Sequence, residues 1–184
     1  MGKEQDILRR QETAMEYFRK GYNCCQSVLL AFSDITGLDA DALAAVGCGL
    51  GGGVARMREV CGSVSAMAIL AGFISPAAQS PVSGSEISLA TGNASRTTPE
   101  AGTSSTALHE SRKACYSLVQ SLASEFREQN GSIVCRELLG LRAGAAQNPE
   151  PAQRTEQYYH ARPCERLVGD AALIFARYLY KDNN

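Results

Sequence analysis

Seven cysteines stand in a chain of 184 residues, at positions 24, 25, 48, 61, 115, 135 and 164. Thiolate is the nucleophilic and metal-binding form of cysteine, so a set this large can serve thiol exchange or soft-metal ligation. An odd number argues against a scaffold held only by disulfides. No C-x-x-C pair occurs, which removes the zinc-knuckle and bacterial ferredoxin spacings. Cys24 and Cys25 are adjacent and diverge if they lie on a helix, so a shared site has to be assembled by folding. Taken singly, each cysteine is equally a small apolar core residue.

The second feature is Gly47-Cys48-Gly49-Leu50-Gly51-Gly52-Gly53. It lacks the Lys-Ser/Thr ending of a phosphate loop and follows no strand pattern, so neither nucleotide fingerprint has its context. Glycines here suit a tight turn, or a backbone lying close to a bound group through Gly47, Gly49 and Gly52.

The elements that must position these residues read as helices. Ile7, Leu8, Ala14, Met15 and Phe18 recur at helical spacing over residues 4 to 20. Asn23 is a natural N-cap for a helix reaching Thr36, with Gly37 as its C-terminal cap. A short helix spans 39 to 46. Another runs from Arg58 to Phe73 with a small-residue face of Gly62, Ser65, Ala66 and Gly72, suited to close packing and to a homodimer. Leu118, Val119, Leu122 and Phe126 share a face of a helix that begins near Leu108 and closes at Asn130-Gly131. Ser132 caps a short helix to Leu139. Residues 144 to 160 read as a loop, and Pro163 opens a terminal helix through Tyr180. No strand alternation appears. The expectation is an all-α, single-domain chain of five to seven helices, with a flexible insertion at 75–106 where Ser, Thr, Gly, Pro and Ala dominate.

In this reading Cys24, Cys61, Cys135 and Cys164 each fall in the first turn of a helix, where unpaired N–H groups and the dipole favour an anion and lower a thiol pKa. Cys48 opens the glycine-rich turn.

Lys and Arg number 18 against 19 Asp and Glu, a net charge of -1, so no overall field draws nucleic acid or anionic lipid. The charged N-terminus has no apolar signal region, and no apolar run is long enough to span a bilayer. A cytoplasmic location is expected.

Gly21-Tyr22-Asn23-Cys24, Gly47 to Gly52, Glu59-Val60-Cys61-Gly62, and the segments at Cys135-Arg136-Glu137-Leu138 and Cys164 resemble the redox-active protein family named for its C…GCAxxG…C…C pattern. The resemblance implies a helical domain with cysteines poised for redox work, sometimes associated with iron–sulfur or haem modules. Cys24 matches the leading cysteine, Cys48 the one in the glycine motif and Cys61 the next. Cys135 and Cys164 both fit the last. Gly49 stands where the pattern has Ala. Cys25 and Cys115 are additions, and the absence of C-x-x-C-H speaks against covalent haem.

Three readings follow. The first is electron transfer through an iron–sulfur cluster ligated by Cys24, Cys48, Cys61 and either Cys135 or Cys164, serving an unidentified redox partner protein. The second is metal-free thiol–disulfide exchange, with an attacking thiol of low pKa among Cys24, Cys48 and Cys61. The third is structural zinc or inert buried thiols. The family resemblance orders them so. His109, His160, Arg56, Arg58 and Glu59 are secondary candidates, and Tyr158 and Tyr159 have no assigned role.

Overall fold

A computed structural model describes residues 2–75, 105–142 and 148–181. Among them are nine helices and no strand: α1 (Lys3–Arg19), α2 (Cys24–Leu30), α3 (Ser33–Thr36), α4 (Ala40–Cys48), α5 (Gly62–Ile74), α6 (Ser105–Asn130), α7 (Cys135–Leu138), α8 (Glu156–Ala161) and α9 (Cys164–Lys181). The all-α expectation holds. The count exceeds five to seven because two short pieces, α3, split from the helix expected over 23–36, and α8, are additional elements. Most of the 75–106 insertion lies outside the described residues, and its last two residues already belong to α6.

The core is built where α1, α2, α5 and α9 meet, with α6 closing against α5 and α9. Ile7, Ala14 and Phe18 recur at helical spacing and bury one stripe of α1. That stripe faces Leu167, Val168, Ala171, Ile174 and Phe175 of α9 in a single apolar cluster. Phe32 meets Phe175 edge to face with ring centroids 5.0 Å apart.

The helix expected over 23–36 is divided at Ala31–Phe32. Arg10 Nη1 donates to the Ala31 carbonyl at 2.7 Å and binds the Asp34 carboxylate, so that carbonyl is held by a side chain from α1. The Ile35 N–H turns to Phe32 O instead. Buried Phe32, at φ -126° and ψ 28°, is the break.

The helix expected from Arg58 begins four residues later, at Gly62. Residues 59–61 are engaged elsewhere. Cys61 N–H donates to Ile133 O at 2.8 Å, Cys135 N–H to Glu59 O at 2.6 Å, and Val60 forms an antiparallel bridge with Val134. This short pairing ties the two halves of the sequence together beside two cysteines. Ser132 does not cap α7; its hydroxyl accepts from Val134 N–H one turn earlier. Residues expected to loop before His160 instead form α8, capped by the Thr155 hydroxyl.

Candidate redox site

Asn23 fixes the first wall of the site. Its side-chain oxygen accepts from Cys25 and Gln26 N–H while the Gln26 side chain returns a bond to Asn23 N–H, a complete capping box. Its Nδ2 donates to the carbonyls of Gly47 and Cys48 at 3.2 and 3.0 Å. One side chain therefore starts α2 at Cys24 and clamps the end of α4 at Cys48.

After Cys48 the backbone turns left-handed. Gly52, Gly53, Val54, Ala55 and Arg56 all have positive φ, and Arg58 does as well. Each non-glycine residue held there costs about 1–2 kcal/mol. Amide bonds folding back onto the glycine segment offset part of this: Ala55 to Gly49 O at 2.7 Å, Arg56 to Gly51 O at 3.1 Å and Glu59 to Gly53 O at 3.1 Å. The result is a compact knot that carries Arg56 and Arg58 to the site.

Five of the seven cysteines, Cys24, Cys48, Cys61, Cys135 and Cys164, line one cavity of about 280 Å³. That is near the small end of ligand pockets, roughly 300–1,000 Å³. Cys25 is buried in the core and Cys115 lies on α6; neither lines it. Cys24, Cys135 and Cys164 are the first residues of α2, α7 and α9, and Cys61 is the N-cap of α5. Cys48 is the last residue of α4 and is exposed at the rim.

The expected low thiol pKa is reversed where a shift is resolved. Burial pushes Cys61 up to about 12 and Cys164 up to about 11, and raises Cys135 as well. Desolvation of a thiolate outweighs the favourable field of a helix start. Charge on Cys24 would raise Cys61, Cys135 and Cys164 further, which makes Cys24 the hub of the set. The Ser63 N–H and hydroxyl oppose the rise at Cys61. Arg58, whose Nη1 lies 4.0 Å from the Cys135 sulfur, opposes it at Cys135.

Of the glycines expected beside a bound group, Gly52 lines the cavity and Gly47 and Gly49 do not. A Cβ on Gly47 would meet Gln26 backbone at 3.0 Å, Gly52 has φ +66°, and Gly49 has nothing within 4 Å. Gly62 brings α5 against Cys24, and Gly53 lies against Cys135. Of the small-residue face, Gly62 and Ala66 are buried inside the chain, while Ser65 and Gly72 are half-buried and a Cβ on Gly72 would meet nothing within 4 Å.

Three cavity residues carry no signal that the sequence analysis used: Ser63, Arg154 and Arg162. Tyr158, left without a role, lines the cavity beneath two guanidiniums, with Arg154 and Arg162 each 4.7 Å from its ring centroid. Arg154 and Arg162 flanking the Tyr158-Tyr159 pair, four and three residues away, were the available signal. His109 and His160 are exposed and do not line the cavity, nor does Glu59, which pairs with Arg136.

A family model described as "Putative redox-active protein (C_GCAxxG_C_C)" matches residues 22–178. The chain belongs to this family. The matched span contains all seven cysteines, and the family's GCAxxG motif falls on the Gly47–Gly52 turn that borders the cavity. Its alanine position is Gly49, where an added methyl would meet open space, so the departure has no structural consequence. Neither a curated protein nor a solved structure matches the chain. No helix among the described residues is long and apolar enough to cross a membrane.

The cavity wall supplies five thiols, and among its described lining residues there is no Asp, Glu or His. Two lining donors are buried without a hydrogen-bond partner, Ser63 Oγ and Arg154 Nη1. Among the described residues no three His, Cys, Asp or Glu side chains are gathered closely enough to hold one ion. A single tetrahedral zinc needs sulfurs about 2.3 Å from one point. The described wall is thus a donor set of sulfur without carboxylate or imidazole.

Proposed function

We propose that this redox-active protein transfers electrons through an iron–sulfur cluster held by Cys24, Cys61, Cys135 and Cys164, with Cys48 at the rim. Bound there, such a cluster would supply one-electron transfer. One observation carries the reading: Cys24 and three thiols from separate segments that respond to its charge, Cys61, Cys135 and Cys164, wall a single cavity. Burial limits water at Cys61 and Cys135, with Cys24 and Cys164 half-buried. Ser63 and Arg58 offer hydrogen bonds to thiolates at Cys61 and Cys135. The arginines offset the negative charge that ligating thiolates bring, which a dry cavity would otherwise penalise. The cluster's donor and acceptor would be a redox partner protein reached at the rim.

Anaerobic purification tests this directly. The protein should be brown, with stoichiometric iron and sulfide. Cys24→Ser, Cys135→Ser and Cys164→Ser should each lose most of that iron, while Cys115→Ser keeps it. Protein that stays colourless and iron-free after anaerobic reconstitution with iron and sulfide overturns the assignment.

A second reading, thiol–disulfide exchange, is favoured by the exposure of Cys48 on the same cavity. It predicts an iron-free protein that gains an intramolecular disulfide involving Cys48 on mild oxidation. Cys61 is a poor attacking thiol in that scheme, because burial keeps it protonated.

A further inference from the structure

Four arginines line the thiol cavity, Arg56, Arg58, Arg154 and Arg162, and none has a carboxylate partner among the described residues. Elsewhere the chain pairs its guanidiniums with acids, as in Arg10–Asp34, Arg19–Glu165 and Arg136–Glu59. Acids are therefore in supply, and the cavity excludes them.

Arg154 is the sharpest case. Its guanidinium lies 4.4 Å from the Phe18 ring centroid and 4.7 Å from that of Tyr158, and Nη2 donates to Tyr22 O at 3.1 Å. Nη1 is buried and donates to nothing. Ring faces attract a cation by about 1–2 kcal/mol, which does not replace a hydrogen-bonded anion for a desolvated charge. Arg162 shares the Tyr158 ring, and Arg56 spends its Nε on the Asn148 carbonyl. Arg58 is the one guanidinium turned to a sulfur. On the same cavity the Ser63 hydroxyl, in a residue with no exposed surface, has the Cys61 thiol beside it and no oxygen or nitrogen partner among the described residues.

We propose that the cavity binds a small molecule carrying an oxyanion group, held by Arg154 with Arg162 and Arg56 beside the thiols. A guanidinium fork matches a carboxylate, phosphate or sulfate in geometry as well as charge. Unsatisfied donors on opposite kinds of side chain, Arg154 and Ser63, are what such a ligand would complete. The low acid content of the wall keeps the field positive and selects against cationic ligands. The arginines that would take the anion line the same cavity as the thiols, so anion and iron are measured separately.

The test is calorimetric titration of anaerobically purified full-length protein with inorganic phosphate and, separately, acetate at constant ionic strength. Saturable binding at one site per chain is expected for at least one of the two, and the tighter anion names the group. Arg154→Gln and Arg162→Gln should each weaken it at least tenfold, while Arg166→Gln, whose residue pairs with Asp170, leaves it unchanged. Arg162→Gln guards against loss of folding when Arg154 leaves its aromatic surroundings. Absence of saturable binding for both anions, or equal affinity in both cavity variants, overturns the proposal. Iron measured on the same samples separates the two ideas: anion binding by iron-free protein sinks only the cluster, and iron without anion binding sinks only this site.

Discussion

The sulfur of Cys24 lies against Gly62, so closely that a Cβ built on Gly62 would stand 2.5 Å from it and 2.7 Å from the Leu50 carbonyl oxygen. Gly62 follows Cys61 directly, so the absence of a side chain there sets how near α5 and its thiol come to the hub of the cavity. Gly62→Ala must push α2 and α5 apart. Overpacking of this kind costs about 1–3 kcal/mol, more than the ~0.5–1 kcal/mol that alanine gains over glycine in a helix. Net destabilisation is expected in urea denaturation, with loss of bound iron. Gly49→Ala, which meets nothing within 4 Å, should change neither.

Asn23 joins two elements through one amide, and its two halves can be tested apart. Asn23→Ala removes the cap, worth about 1–2 kcal/mol, and two donations to Gly47 O and Cys48 O, each worth about 1 kcal/mol. A total of about 3–4 kcal/mol should appear in the denaturation midpoint. Asn23→Asp keeps the cap acceptor but sets a carboxylate against two carbonyls. It should also be destabilised. Wild-type stability in Asn23→Asp would show that the clamp on α4 contributes nothing.

Helix ends that depend on local chemistry were legible in the sequence. Asn23, Gly37 and Gly131 act where their types predict, with Gly37 and Gly131 at φ +67° and +84°. The convergence of Cys24, Cys48 and Cys61 was also foreseen, and both Cys135 and Cys164 join them. What the sequence hid depends on distant partners. Arg10 breaks a helix 21 residues away by taking the Ala31 carbonyl. The pairing of 59–61 with 133–136 leaves no alternation long enough to recognise. Thiol acidity was misjudged for a related reason: helix position is local, whereas the burial that outweighs it at Cys61 and Cys164 belongs to the whole fold.

The left-handed run offers a test of stored strain. Ala55 is exposed and has φ 47°, so its side chain contributes little packing while its Cβ resists the conformation. Ala55→Gly should relieve about 1–2 kcal/mol of strain and cost about 0.5–1 kcal/mol in unfolded-chain freedom. A net gain of about 0.5–1 kcal/mol is expected, raising Tm by roughly 1–4 °C. A variant that melts below the parent would show that Ala55 is not strained there.

The buried thiols should make the reduced, metal-free protein fragile in alkali. In the unfolded chain a thiol ionises near its ordinary pKa of about 8.5. In the fold, Cys61 is pushed up to about 12 and Cys164 up to about 11 by burial. Below the unfolded value both states hold the proton and the native state keeps its full stability. Above it the unfolded chain releases protons that the native state retains, so unfolding becomes more favourable with every rise in pH until the folded thiols ionise in turn. Each thiol contributes up to about 1.4 kcal/mol per pH unit in that window. The urea midpoint should therefore fall steadily between about pH 8.5 and 10.5. Cys164→Ser, which has no thiol to ionise, should show a shallower slope than the parent. Ligation demands thiolates, so loading with iron and sulfide should release protons at neutral pH and remove the alkaline decline. A midpoint independent of pH in the reduced apoprotein would mean that these sulfurs are ionised or solvated in the fold, and the dry cavity on which the redox reading stands would be lost.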